Sequence, residues 1–187
     1  VNLLKKKPDY IFIPQVMQIP IKNVPTYSRI CVFVQGEPYY LKTTFRKELE
    51  ESTTVVLSPV LKMQKGYEFA EDTLVQMVKK MGIGEKQARE AFQFACRKQY
   101  ELENELLEIG SKTLKELDQN PDLFGIVLFG RPYNAFSTDA NMGIPHKIAS
   151  RGFVVIPHDM IPSAEYNVHH KMFWATGQKI MKSAQLV

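Results

Sequence analysis

The chain has 187 residues, of which 44% are hydrophobic and 24% charged, with a net charge of +4; this is ordinary globular composition, with enough apolar mass for one domain or two small lobes. The charge is too mild to argue for nucleic acid, and its one run, Lys5, Lys6 and Lys7 beside Pro8, reads as a solvated edge. No apolar run approaches the roughly 18 residues of a spanning helix, no signal peptide is legible, and Cys31 and Cys96 are too few for a disulfide framework, so the expectation is a cytoplasmic protein with no membrane and no nucleic-acid partner.

The first third carries three short β-type runs, Asp9 to Ile13, Ile30 to Val34 and Thr53 to Leu57, each ending at a proline or glycine turn as buried parallel strands do. Between the last two, Pro38 to Leu49 predicts a helix with Pro38 near its first turn, where a missing N–H costs nothing. Pro20 and Pro25 exclude a regular helix between the first two runs. Ala70 to Met81 reads as a helix ended by Gly82. From Gly84 to about Gln119 there is no proline, and Ala88, Phe92, Ala95, Gln99, Leu102, Leu106, Ile109 and Thr113 recur at spacings of four and three, the seam of one long packed helix.

The last third returns to α/β patterning. Phe124 to Phe129 and Phe153 to Ile156 are strands, Asn141 to Arg151 is a helix between them, and Ala164 to Leu186 is an amphipathic helix. A strand–helix–strand unit of this length predicts a parallel pair. The resulting expectation is an α/β protein with a first lobe over 1–65, a helical connector over 66–120 and a second lobe over 121–187. The chain opens on Val1 in mid-pattern and closes on Val187 after an apolar helix, which suggests a piece of something longer, with the first lobe cut at its N-terminus and the second at its C-terminus.

Two tetrapeptides invite a functional reading: Gly36-Glu37-Pro38-Tyr39 and Gly130-Arg131-Pro132-Tyr133, each after a hydrophobic run. In open α/β sheets ligands bind beyond the carboxyl ends of strands, where the second turn and Pro157-His158-Asp159 are expected to share an edge. Arg131 offers a planar fork suited to phosphate or carboxylate, Tyr133 can stack or hydrogen-bond, and Gly130 admits close backbone approach. The plainer alternative is that Pro132 stiffens the turn and Arg131 pairs with Asp159. The candidate ligand-binding residues are therefore Gly36, Tyr39, Gly130, Arg131, Tyr133, Asn134, His158 and Asp159, with no catalytic set. No phosphate-cradling glycine motif is present. Cys31 is either a buried, inert thiol or a metal ligand. His169 and His170, adjacent on the expected last helix, diverge by about 100° and cannot share one metal.

Taken together, "DYIFIP", "CVFVQGEPYYLK", "LSPVLKM", "VLFGRPYNAFSTDANMGIPHKIASRGFVVIPHDMIP" and "MFWATGQKIMKSAQLV" resemble the activase-related domain of large CoA-substrate-specific enzyme activases, a relative of 2-hydroxyacyl-CoA dehydratase subunits. The resemblance covers nearly the whole chain. It implies two Rossmann/flavodoxin-like lobes with parallel strands joined by a long helical segment, a cleft rimmed by both Gly-x-Pro-Tyr turns with Cys31 and Arg131 on opposite sides, and a place after ATPase modules of the same parent chain. It also implies iron–sulfur-linked, ATP-driven electron transfer toward an acyl-CoA dehydratase in anaerobic metabolism, with a [4Fe–4S] cluster in the full-length protein and none in this stretch. Cys31 falls on a cysteine that the family usually follows with proline, here Val32, and the family's other characteristic cysteines lie outside the stretch. The alternatives are a binding module for an anionic ligand such as a CoA ester or nucleotide, and an interdomain scaffold without redox role.

Overall fold

The computed structural model describes residues 2–24 and 27–187, so Pro25 lies outside the described residues. The chain divides into two compact units, Val1–Pro20 with Tyr27–Cys96, and Ile21–Thr26 with Arg97–Val187. It is of the α/β class, with short parallel strand pairs and one long helix.

The first unit begins with α1 (Asn2–Lys5), β1 (Tyr10–Phe12) and β2 (Gln15–Gln18). β1 pairs in parallel with β3 (Val55–Leu57), and β2 with β4 (Val60–Lys62). The N–H of Ile13 donates to the Leu57 carbonyl and that of Gln15 to the Pro59 carbonyl, both at 2.8 Å, so the two ladders form one ribbon interrupted at Pro14 and Pro59, which have no N–H to give. Sequence patterning finds β1 and β3 but misses β2 and β4, which resume beyond those prolines. Leu57 and Leu61 are buried on this ribbon.

The expected strand from Ile30 to Val34 is not one. Cys31 precedes helix α2 (Val32–Thr44), which carries Pro38 in its interior rather than near its start. A short apolar run has no period long enough to separate helix from buried strand, and packing decides here: Pro38 is buried and α2 lies against β2. The helix then breaks at Phe45 and resumes as α3 (Arg46–Glu50), so the single helix expected over Pro38 to Leu49 is two. A 3-10 turn (Tyr67–Ala70) leads into α4 (Glu71–Lys79), and Gly82 follows with φ +79°, the left-handed conformation that glycine supplies after a helix.

The predicted long helix is α5 (Glu85–Gln119). Near its start Arg89 pairs with Asp72 and with Glu85, both at 2.9 Å, tying α5 to α4. Along its seam Ala88 is buried and Phe92 and Leu106 are half-buried, whereas Leu102 and Ile109 are exposed.

In the second unit β5 (Gly125–Leu128) and β6 (Val154–Pro157) are parallel neighbours, as predicted, in the register Gly125 to Val154 through Leu128 to Pro157. The crossover holds α6 (Pro132–Ala135) and α7 (Ile144–Ala149). α7 is shorter than the Asn141 to Arg151 helix expected, because Met142 and Gly143 adopt φ +53° and +69° and cannot continue a right-handed helix backward. On one side of the pair Gly125 lies against Leu117 of α5, and Gly110 of α5 sits so close to the backbone of Met160 that a Cβ would collide with it.

The amphipathic helix expected over Ala164 to Leu186 is confined to α8 (Ala175–Ser183). The reason lies in its polar residues. Gln178 donates to the Met172 carbonyl at 2.5 Å, Lys182 to that of Ala164 at 2.8 Å, and Gln185 to that of Asn167 at 2.9 Å. Side chains that look like a solvated stripe instead bind the preceding segment in a non-helical path. Lys182 also donates to the Lys22 carbonyl at 3.0 Å, which fastens the 21–24 segment to this unit. His169 and His170 therefore lie off any helix, their rings stacked 4.4 Å apart.

Lys182 is only 3% exposed, so Lys182→Met takes the donor from the Lys22 carbonyl and leaves that of Ala164 with Asn23 Nδ2 alone; it is expected to lower stability by about 1–3 kcal/mol while speeding tryptic cleavage after Lys171. A urea midpoint and a Lys171 cleavage rate equal to those of the parent chain would show that these bonds carry no weight.

Candidate functional site

The carboxyl edge of β5–β6 collects six of the residues singled out from sequence. Gly130 lies two residues beyond β5, and a Cβ there would lie 3.0 Å from that of Ala135, so glycine lets α6 fold back against the strand end. Pro132 occupies the first turn of α6, where its fixed φ suits the helix. The carbonyl of Arg131 accepts the N–H groups of Asn134 and Ala135 at 2.9 and 2.8 Å. This folds the turn into a compact knuckle with Arg131, Tyr133 and Asn134 all exposed.

The second turn meets the first through His158. Its Nε2 lies 3.0 Å from the Gly130 carbonyl, which can only accept, so Nε2 carries a proton. The ring is 2% exposed, stacks on Phe129 at 6.1 Å and tilts against Phe136 at 5.6 Å. Nδ1 is buried with no hydrogen-bond partner among the described residues. Burial pushes the imidazole pKa below its ordinary value, against the opposing pull of the Gly130 carbonyl and Asp159; the ring is thus neutral with its lone pair on Nδ1. Ser183 Oγ, from α8, donates to the His158 carbonyl at 2.9 Å and sits 3.2 Å from Ser163 Oγ. The bond between His158 and Gly130 places both strand-end turns on one edge, as parallel pairing requires. Asp159 is exposed beside the buried ring.

Phe129, Phe136, Ser163 and Ser183 hold this edge together and were not legible as a set, because they come from three separate stretches. Only the hydrophobic flanks of the GRPYN segment hinted at them.

The other three candidates belong to the first unit. Cys31 is half-buried at the start of α2 and makes no side-chain cap. Gly36 and Tyr39 lie inside α2, so the first Gly-x-Pro-Tyr is helix interior and not a turn. A Cβ on Gly36 would lie 2.8 Å from the Tyr40 ring, so glycine here makes room for an aromatic packed along the helix. Tyr39 is exposed and its hydroxyl donates to Gln15 Oε1 at 3.4 Å. Cys96 is a free thiol whose pKa is pushed up by burial, with Glu68 and Glu71 adding to the effect. Among the described residues no group of three or more His, Cys, Asp and Glu is placed to hold a metal, so Cys31 has no completed cluster site around it. No helix of the described residues is long and apolar enough to cross a membrane.

The family described as CoA enzyme activase uncharacterised domain matches residues 1–161. The chain belongs to that family. No curated protein and no solved structure matches the chain. The activase-domain match takes in α2 with Cys31, the long helix α5 and both strand-end turns of β5–β6, and stops before the segment that α8 pins.

The depressed pKa of His158 sets a pH dependence. Unfolded, the ring titrates near 6.5; folded, it titrates lower. Its contribution is therefore complete above the unfolded value and is lost as pH falls toward the folded one. The urea midpoint is expected to drop on acidification below about pH 6.5, and His158→Gln to flatten that part of the profile. A slope identical in the variant would assign the effect to other groups.

Proposed function

We propose that this activase-family domain is a non-catalytic binding module for an anionic ligand such as a CoA ester or nucleotide, held at the carboxyl edge of β5–β6. The observation that carries the reading is the hydrogen bond from His158 to the Gly130 carbonyl. It holds the turn bearing Arg131, Tyr133 and Asn134 beside the one bearing Asp159, on the edge where α/β proteins take ligands. The Arg131 guanidinium supplies the charge-assisted contacts and the phenol of Tyr133 a stacking or hydrogen-bonding surface. Calorimetry with CoA, acyl-CoA and ATP tests it. Saturable binding is expected with at least one of them, weakened about tenfold or more by Arg131→Ala, the worth of a charge-assisted bond. Binding indifferent to Arg131→Ala would make Arg131 structural.

A second reading is favoured by family membership and by the position of Cys31, half-buried at the start of a helix. In it the domain is a cytoplasmic part of an activase in anaerobic metabolism, contributing to iron–sulfur-linked, ATP-driven electron transfer toward 2-hydroxyacyl-CoA dehydratase-type chemistry. Its partners would be the ATPase domains of its parent chain and an acyl-CoA dehydratase. Cys31 would supply one thiolate to a [4Fe–4S] cluster and the remaining ligands would come from elsewhere in the parent. Iron and sulfide reconstitution of the parent chain is expected to develop visible charge-transfer absorption that Cys31→Ala diminishes. Absorption equal in the variant would remove Cys31 from any cluster.

A further inference from the structure

The crossover of β5–β6 lines an open pocket of about 390 Å³ on one face of the pair. In the observed register Leu128 is beside Pro157 and Ile126 beside Val155, so these side chains share a face. Leu128, Val155 and Pro157 form the floor of the cavity, and Ala135, Phe136 and Pro145 are among its walls. None of Arg131, Tyr133, His158 and Asp159 lines it, so it is separate from the strand-end site.

An apolar concavity on a sheet face tends to be covered by the crossover that passes over it, unless something holds that crossover off. Here the helical path of the crossover is broken at residues 141–143. Asn141, buried, donates from Nδ2 to the Ala135 carbonyl at 3.3 Å and accepts the Gly143 N–H on Oδ1 at 2.8 Å. Between those anchors Met142 is held at φ +53°, a left-handed conformation costing a non-glycine residue about 1 kcal/mol or more. A strained arch pinned at both ends by one buried amide is a preformed wall. It leaves the sheet floor half-buried where a longer crossover helix would cover it.

Size and lining select the occupant. An α-helix with its side chains is about 10–12 Å across, so 390 Å³ would admit only about one turn of it; a docked protein element does not fit. Small-molecule pockets run from about 300 Å³ upward, and a dry apolar cavity of about 150 Å³ already takes up benzene. The floor is hydrocarbon, while Thr138 and His146 are exposed at the rim. We propose that the β5–β6 crossover cavity binds a small aromatic or branched apolar molecule carrying a single hydrogen-bonding group, its apolar body on Leu128 and Val155 and its polar end at Thr138 and His146.

The test uses the full chain with methyl-labelled Leu, Val and Ala, titrated with p-cresol and, separately, with toluene. Saturable shifts centred on Leu128, Val155 and Ala149 are expected for both. Ala149→Phe, which fills the mouth from an exposed rim position, is expected to weaken both ligands tenfold or more, a loss of about 1.4 kcal/mol. His146→Leu is expected to weaken p-cresol about two- to tenfold, the worth of one hydrogen bond, and to leave toluene unchanged. Unchanged methyl dispersion shows that each variant is folded; if Ala149→Phe does not fold, Ala149→Leu fills the same mouth with less bulk. Shifts that never saturate, or that survive filling of the mouth, overturn the site, and equal losses of both ligands in His146→Leu overturn the assigned polar end.

Discussion

A buried, neutral imidazole bonded to one backbone carbonyl is the contact on which the second unit is organised. His158 reaches from the end of β6 to Gly130 just beyond β5 and is boxed in by Phe129 and Phe136. Its own carbonyl is taken by Ser183 from α8. Strand pairing alone sets the register of two short strands, and a two-stranded ribbon is marginal without further packing. The imidazole adds a link beyond the last ladder bond, so the two turns cannot splay. Burying it in neutral form avoids the cost of a desolvated charge. The carboxyl edge is rigid for this reason, while Arg131, Tyr133, Asn134 and Asp159 stay exposed on it.

The two faces of the same strand pair are treated differently. On the α5 side the approach is close enough to exclude a Cβ: Gly110 meets the Met160 backbone and Gly125 meets Leu117. Glycine in mid-helix costs about 1 kcal/mol relative to alanine, a cost offset here by bringing the helix directly onto the segment that follows His158. On the other side the crossover is two short helices and an arch, and the strand side chains stay half-buried. One face is thus closed by glycines that admit α5 closely, and on the other the crossover path is broken at an arch pinned by the Asn141 amide.

Legibility in the sequence followed the length of the pattern. The α5 seam repeats often enough to exclude other periods, and the strands at Gly125–Leu128 and Val154–Pro157 are bounded by residues that punctuate them clearly. The edge formed by Gly130, Arg131 and His158 was readable because parallel pairing dictates it. The same tetrapeptide logic failed at Gly36. Gly-x-Pro-Tyr after an apolar run is a strand-end turn at Gly130 and the middle of a helix at Gly36, and only tertiary contacts distinguish them: α2 packs on β2 and buries Pro38 there, whereas Gly130 backs onto Ala135. β2 and β4 were missed because Pro14 and Pro59 read as strand ends, when they remove single ladder bonds and the ribbon continues past them.

α8 shows why polarity read along a helix does not report exposure. Gln178, Lys182 and Gln185 recur at spacings of four and three, a pattern that reads as a solvated face opposite Ile180. In the fold Gln178 and Lys182 are buried, and the three side chains spend their donors on the carbonyls of Met172, Ala164 and Asn167. Those carbonyls belong to the stretch that would otherwise have extended the helix, and a carbonyl bound to a side chain from a later turn is held away from the N–H four residues on. The helix is therefore short because its own polar face captures what precedes it. Lys182 adds a third strand of chain by taking the Lys22 carbonyl, so one buried ammonium group joins segments far apart in sequence with backbone dipoles rather than a carboxylate. Removing its charge from water is costly, and the bonds it makes to the Lys22 and Ala164 carbonyls are what offset that cost.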